Sequence, residues 1–275
     1  MDKLVNIVIP IYKEQPDKYE LISLNQGIEI LNSYDFSIVC PQSLDTNYYE
    51  NLLIENKINF TIQRFDDSYF VNLDSYSSLL LNISFYKRFV DYDYILIYQL
   101  DAYVFKDELS YWCSLGYDYI GAPWPKDIFV MEKGNIVFDK VGNGGFSLRK
   151  VQSFIDRLNY PYPLKTLNEL KKEFACFNKL QMILRLPVLG LKVLGYKNTI
   201  GYFIKKGNLL EDVFWCIFLE ETRIPLKIPT VKLASQFCME IGAKQLYEEN
   251  EKTLPFGCHA WLKRNYDFWR KFITN

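Results

Sequence analysis

The first apolar run, Val5 to Tyr12 (VNIVIPIY), is β-branched and closed by Pro10, which predicts the buried first strand of a parallel sheet. Lys18 to Asn32 follows with Tyr19, Ile22, Leu24, Ile28 and Leu31 at helical spacing. Phe36 to Cys40, ended by Pro41, and Asn59 to Arg64 read as second and third strands. Strand, helix and strand in alternation predict right-handed βαβ units. Ser75 to Val90 reads as one helix with Leu79, Leu80, Ile83, Tyr86 and Phe89 on its apolar face. It feeds Tyr94 to Leu100 (YILIYQL), the predicted central strand. Asp118 to Ala122 is a further strand, and Pro123, Trp124 and Pro125 after it predict a rigid turn. The glycine-rich Val141 to Leu148 leads into a helix from about Arg149 to Leu158. Residues 161–207 are basic, interrupted and without a clear strand, and read as a helical insertion or lid. A helix from Glu211 to Glu221, a strand from Ile224 to Pro229 and a terminal helix from Lys263 to Phe272 complete the pattern.

Length suits one α/β domain over residues 1–275 with an elaborated C-terminal half. Hydrophobic residues at 49% and charged ones at 24% exclude a disordered or collagenous chain. Aromatic residues reach 17%, enough to line a sugar groove as well as to fill a core. A net charge of −1 supplies no global field for nucleic acid. Six single cysteines (Cys40, Cys113, Cys176, Cys216, Cys238, Cys258) form no C-x-x-C pair, so the expectation is reduced thiols rather than zinc or disulfides. The N-terminus lacks the pattern of a signal peptide, which predicts a cytoplasmic protein. Leu180 to Ile204 approaches membrane character, but Arg185, Pro187, Lys192 and Lys197 interrupt it. It reads either as a surface-lying segment touching the inner face of the membrane or an acceptor, or as a packed helical hairpin.

Four places carry candidate chemistry. Asp101 stands at the carboxyl end of the central strand, where ligands of open α/β sheets bind. It either anchors a cation that neutralises a departing diphosphate or caps a turn. His259, the only histidine, lies in PFGCHAW and is either a metal-ligating imidazole or a satisfied polar group among aromatics. In VGNGGFSLR, glycines bracket Asn143 and permit positive φ and close approach, so Asn143, Gly144 and Gly145 can meet hydroxyls or phosphate. The alternative is a tight turn, and neither a dinucleotide-binding nor a Walker spacing is present. Glu211 and Asp212 open a helix, where carboxylates complement the dipole, and either could also take a proton from an acceptor hydroxyl.

YDYILIYQLDAYVF, GYDYIGAPW, VGNGGFSLR, LLEDVFW and PFGCHAW occur in that order. On them, residues 75 to 261 resemble a family of glycosyltransferase-like domains from bacteria and fungi, defined as a domain of unknown function, and more distantly GT-A glycosyltransferases. The resemblance implies a GT-A-like α/β fold with a mixed, mostly parallel central sheet flanked by helices. It implies Mn²⁺ or Mg²⁺ held by Asp101, in the place of an Asp-x-Asp carboxylate, and by His259 as the late ligand. Here Ala102 and Tyr103 follow Asp101, so the second motif carboxylate is absent and Gln99 is the polar neighbour. The resemblance further implies that Asn143, Gly144 and Gly145 touch sugar, that Glu211 or Asp212 is the base of an inverting transfer, and that the first strand holds the nucleoside. Pro10 and Tyr12 are then its contacts, Tyr12 by stacking. The implied reaction moves a hexose from a UDP-sugar donor to a glycan or lipid-linked saccharide, as in surface polysaccharide or glycoconjugate synthesis.

Two other classes are compatible with parts of the pattern. Sugar-phosphate nucleotidyl transfer needs a glycine-rich basic loop after the first strand, which Lys13, Glu14 and Gln15 do not supply. A non-catalytic carbohydrate-binding module would use the aromatic residues alone.

Overall fold

The computed structural model describes residues 3–126, 136–174, 178–206 and 209–273. In chain order the elements begin β1 (Lys3–Pro10), α1 (Lys18–Ile30), β2 (Asp35–Pro41), α2 (Asn47–Glu55), β3 (Phe60–Phe65), α3 (Leu73–Leu80), α4 (Ile83–Tyr86) and β4 (Tyr92–Tyr98). Next come β5 (Tyr103–Val104), α5 (Leu109–Ser114), β6 (Tyr119–Ile120), β7 (Ala122–Pro125), β8 (Phe138–Gly142), β9 (Phe146–Lys150) and α6 (Val151–Leu158). The remainder is α7 (Leu167–Phe174), α8 (Lys179–Val193), α9 (Ile200–Lys206), α10 (Glu211–Val213), α11 (Val231–Phe237), β10 (Cys238–Met239), α12 (Ala243–Glu249), β11 (Gly257–Cys258) and α13 (Tyr266–Trp269).

The central sheet has the order β3-β2-β1-β4-β9-β6. Its first four strands are parallel, whereas β9 runs antiparallel to β4 and to β6. Alternation along the strands builds a core on each face. Ile7, Ile9, Leu96 and Tyr98 pack against α1 residues Leu24 and Ile28, while Val8, Ile95 and Ile97 face Tyr86, Phe154 and Trp215. A third cluster, with Met239, Leu246, Trp261 and Trp269, surrounds the small sheet β10-β11-β5. The chain passes from β1 outward to β2 and β3, then returns to place β4 on the other side of β1. That reversal opens a crevice beyond the carboxyl ends of β1 and β4, the usual ligand position in such sheets.

Several sequence expectations are corrected. The helix expected over Ser75 to Val90 is two, because Asn82 stops α3 and caps α4 by accepting from Ser84 N (2.9 Å). Pro123 and Pro125 lie in a strand rather than a turn, since β7 pairs only with β8 and tolerates residues without an N–H. The stretch Glu211 to Glu221 is one α-turn, a π-helix over Phe214–Phe218 and a 3₁₀ turn. Ile224 to Pro229 forms no strand; Pro225 and Pro229 lack the donors of a ladder, and Lys227 carbonyl alone receives Asp118 N at 2.8 Å. The terminal helix shrinks to α13 because Asn265, at φ 59°, leaves the helical region before it. Between residues 161 and 206 the described elements are the three helices α7, α8 and α9, joined by turns and extended chain, and α2 was not foreseen. Five cysteines are free and buried, and Cys176 lies outside the described residues.

Asn82 also donates to Tyr69 Oη at 3.0 Å. Asn82→Ala removes both contacts and should lower unfolding stability by about 1 kcal/mol in urea titration, without changing the far-ultraviolet spectrum.

Candidate active site

β4 is buried along Tyr94 to Tyr98, so its end is fixed, and Gln99 N donates to Gly145 carbonyl at 2.8 Å. Ala102 N then donates to Gln99 carbonyl at 2.9 Å, closing a turn that projects Asp101 from the sheet end. The chain continues as β5, where Tyr103 lies opposite Cys258 of β11. One residue beyond Cys258, His259 follows opposite the turn that carries Asp101, and its Nε2 stands 3.1 Å from Asp101 Oδ1. β10 pairs with β11 with Met239 opposite Cys258, which brings Glu240 to the other side of the imidazole, 3.6 Å from Nδ1. Lys263 Nζ is 3.0 Å from Asp101 Oδ2 and its side chain is 76% exposed.

Neither buried ring nitrogen of His259 makes an aligned hydrogen bond, despite the 3.1 Å approach. Burial alone would lower the imidazole pKa, but the carboxylates of Asp101 and Glu240 outweigh it and raise it to about 9. Burial likewise works to raise the Asp101 carboxyl, yet His259 and Lys263 hold it well below the usual carboxylate range. A carboxylate oxygen and an imidazole nitrogen side by side are both groups able to ligate a divalent cation. Among the described residues no three His, Cys, Asp or Glu side chains are arranged so as to hold a metal ion together, Glu240 being on the far ring nitrogen from Asp101, so oxygens of a phosphate ligand and water would have to fill the remaining positions.

The glycine-rich segment differs from its expected role. Positive φ falls on Asn143 (87°), not on its neighbouring glycines. The glycines instead make room for side chains: a Cβ on Gly145 would lie 2.0 Å from His259 Nε2 and 2.6 Å from Gln99 Oε1, and one on Gly144 would lie 2.3 Å from Glu211 Oε1. Its N–H groups are not open to a ligand either. Gly145 N donates to Asn143 Oδ1 (2.8 Å), and Gly144 N donates to Asp212 Oδ2 (3.0 Å). Asn143 is itself buried, its amide turned toward Cys238.

Glu211 and Asp212 have different surroundings. Glu211 receives Arg149 through both oxygens, at 2.8 and 3.1 Å, and both side chains are buried. Burial and Asp212 push Glu211 up while Arg149 pulls it down; Arg149 keeps its charge against burial because Glu211 faces it. We take the pair as ionised, since the guanidinium does not give up its proton and engages both carboxylate oxygens. Asp212 is partly exposed, and burial raises its pKa against the N–H groups of Val213 and Gly144.

A cavity of about 520 Å³ covers the crevice between β1 and β4. Pro10, Tyr12, Gln99 and Asp101 all line it, as do Asn72, Tyr76 and Lys263. Tyr12 is 63% exposed, and the Tyr76 hydroxyl is buried there without a hydrogen-bond partner. Asp101 and Gln99 are thus shared between the cavity and the His259 cluster, whereas Asn143, Gly144, Gly145, Glu211, Asp212 and His259 are not among the residues lining it, and Asp212 is tied to the glycine-rich segment by the bond from Gly144 N. Sequence reasoning missed Glu240, Lys263, Tyr76 and Arg149. Arg149, the last residue of VGNGGFSLR, and Lys263, four residues beyond His259, lay in or near motifs that could have flagged them.

The model of the family described as "Protein of unknown function (DUF5672)" matches residues 59–259. No curated protein matches the chain. The glycosyltransferase GlyE of Streptococcus pneumoniae TIGR4 is similar at TM-score 0.46 and 12% identity, over 94% of this chain and 54% of that one. TarS of S. aureus is similar at TM-score 0.38 and 13% identity, over 56% of this chain and 29% of that one. TarS 1-349 in complex with UDP-GlcNAc gives TM-score 0.37 at 13% identity, over 56% and 47%. The chain spans from 29% to 54% of the length of these structures.

With a single histidine the imidazole has one pair of ring resonances. In metal-free protein they should titrate near 9, and Asp101→Asn, which removes one raising carboxylate, should shift the midpoint down by NMR. Arg149→Met strands a buried carboxylate and should cost about 3–5 kcal/mol of unfolding stability by denaturant titration.

Proposed function

The chain belongs to the DUF5672 family, and we propose that it transfers a hexosyl unit from a nucleoside diphosphate sugar, with UDP as carrier, to a glycan acceptor on a GT-A type scaffold. The observation that carries this reading is the 3.1 Å approach of Asp101 to His259, neither of whose ring nitrogens makes an aligned hydrogen bond, at the edge of a cavity of nucleotide size over the sheet's crevice. Resemblance of the five ordered motifs to glycosyltransferase-like domains supports it independently.

In this reading the exposed ring of Tyr12 stacks on the base, with Pro10 and Gln99 as neighbouring walls. Asp101 and His259 hold Mn²⁺ or Mg²⁺, which when bound offsets the negative charge of the diphosphate. Lys263, on a long and exposed side chain, swings from Asp101 to a diphosphate oxygen. Asp212 accepts the proton of the acceptor hydroxyl as that oxygen forms its bond to the sugar C1. The bond from C1 to the diphosphate oxygen breaks, and its electron pair leaves with the diphosphate, inverting the centre. Glu211, tied to Arg149, holds the turn on which Asp212 sits. Gly144 and Gly145, lacking side chains, let the Glu211 carboxylate and the His259 imidazole close in on the backbone between the two halves of the site. The product belongs to surface polysaccharide or glycoconjugate synthesis.

Calorimetry and donor hydrolysis with a panel of nucleotide sugars test the reading. A UDP-sugar should bind, and more tightly with Mn²⁺; a folded sample that binds no member of the panel sinks the proposal. Asp212→Asn should lower turnover roughly 10²–10⁴-fold while donor affinity stays within a few-fold. Because the base works ionised and burial raises its pKa, the acid limb of kcat should lie above the ordinary aspartate range and fall away as pH drops through it.

A further inference from the structure

We propose that the outer face of α8, with the lysines around it, docks the protein on an anionic membrane surface. Between residues 161 and 206 the sequence holds nine lysines and arginines against two acidic residues, Glu169 and Glu173, in a chain whose net charge is −1. The rest of the chain is therefore acidic, and the positive charge is concentrated in this lobe. Along α8 and its C-cap, Ile183, Leu184, Pro187, Val188, Leu191 and Leu194 recur at helical spacing and share one face. All six are exposed, Leu184 at 71% and Leu194 at 82%. A water-facing helix normally carries polar residues in those positions.

The surroundings specify what covers this face. Tyr196 follows the helix with Lys197 Nζ 5.1 Å from its ring centre, both exposed, an amphipathic pair suited to headgroup depth. α9 ends in Lys205 and Lys206, also exposed. Aliphatic side chains bordered by lysines match a bilayer that presents acyl chains beneath negative headgroups. Among the described residues no helix is long and apolar enough to cross a membrane, so the contact is interfacial, with the apolar face sunk about 5–10 Å.

The other side of the lobe is braced against the candidate site. Phe203 of α9 packs on Phe218 at 4.8 Å between ring centres, and Lys165 Nζ lies 5.1 Å from the same ring. Phe218 closes the π-helix that follows Asp212 and Val213. If the proposed function holds, on which this last step rests, the acceptor is a lipid-linked saccharide presented at the bilayer beside Asp212.

Flotation with vesicles decides the docking without any donor or acceptor, so its failure is distinct from failure of the transfer reading. The protein should rise with phosphatidylcholine–phosphatidylglycerol vesicles and stay behind with phosphatidylcholine alone. Lys205→Gln with Lys206→Gln should weaken binding roughly twenty-five-fold, at about fivefold per lysine. Leu184→Glu with Leu191→Glu and Leu194→Glu, all at exposed positions, should abolish flotation while circular dichroism and the melting temperature are kept. The proposal is overturned by absence of flotation in the wild type, by equal flotation with both vesicles, or by equal flotation of the triple variant. It is also overturned by a lipid-free dimer in light scattering that the triple variant dissolves, which would assign the face to a second copy.

Discussion

The two-residue ladder between β5 and β11 is the constraint on which the candidate site depends. A central strand can deliver Asp101 to the sheet end by its own apolar sequence, but an imidazole from near the C-terminus arrives only if the second chain segment is held in one register. Tyr103 opposite Cys258 sets that register, and the backbone of Asp101 is tied again by Trp261 N at 3.3 Å. A slip by one residue would turn His259 to the opposite face and leave Asp101 with Lys263 alone. Burial of Phe256, Cys258 and Trp261 in two apolar clusters makes such a slip costly.

Arg149 and Glu211 perform a comparable service for the second half of the site. Taking an ion pair out of water is expensive, and this one is satisfied by further bonds from Arg149 to Ser147 and Tyr86. The carboxylate so fixed is one residue from Asp212, and the π-helix begins two residues beyond that. Stacked Phe214 and Phe218, with Phe203 against the latter, extend the same packing into the basic lobe. Charge burial and aromatic packing together connect the outermost helices to the glycine-rich segment.

Much of this was legible in the sequence. Apolar runs marked β1, β2 and β4 because strands buried on both faces need uninterrupted hydrophobic residues, and the position of Asp101 followed from where the last of these runs ends. Pro10, Tyr12 and Gln99 came in through the family resemblance, and all three line the cavity. Glu240 was not, since it reaches His259 only through the pairing of β10 with β11, each two residues long and too short to leave a periodic signal. Arg149 read as the start of a helix, whereas it belongs to β9 and points into the core toward a carboxylate 62 residues away. The break at Asn82 was hidden because a capping asparagine and an exposed helical asparagine look alike until the neighbouring turn is known. The glycines were read for their backbone freedom, but their use is steric and depends on side chains from other segments.

Gly145 has a consequence for how this centre can change. Gln99, Gly145 and His259 come from three distant stretches of chain, and they meet in a volume with no room for even one added methyl group. None of the three can be enlarged or redirected independently, so they behave as a single heritable unit: a chain that abandons the imidazole gains space at the glycine, and one that fills the glycine first has already given up the imidazole.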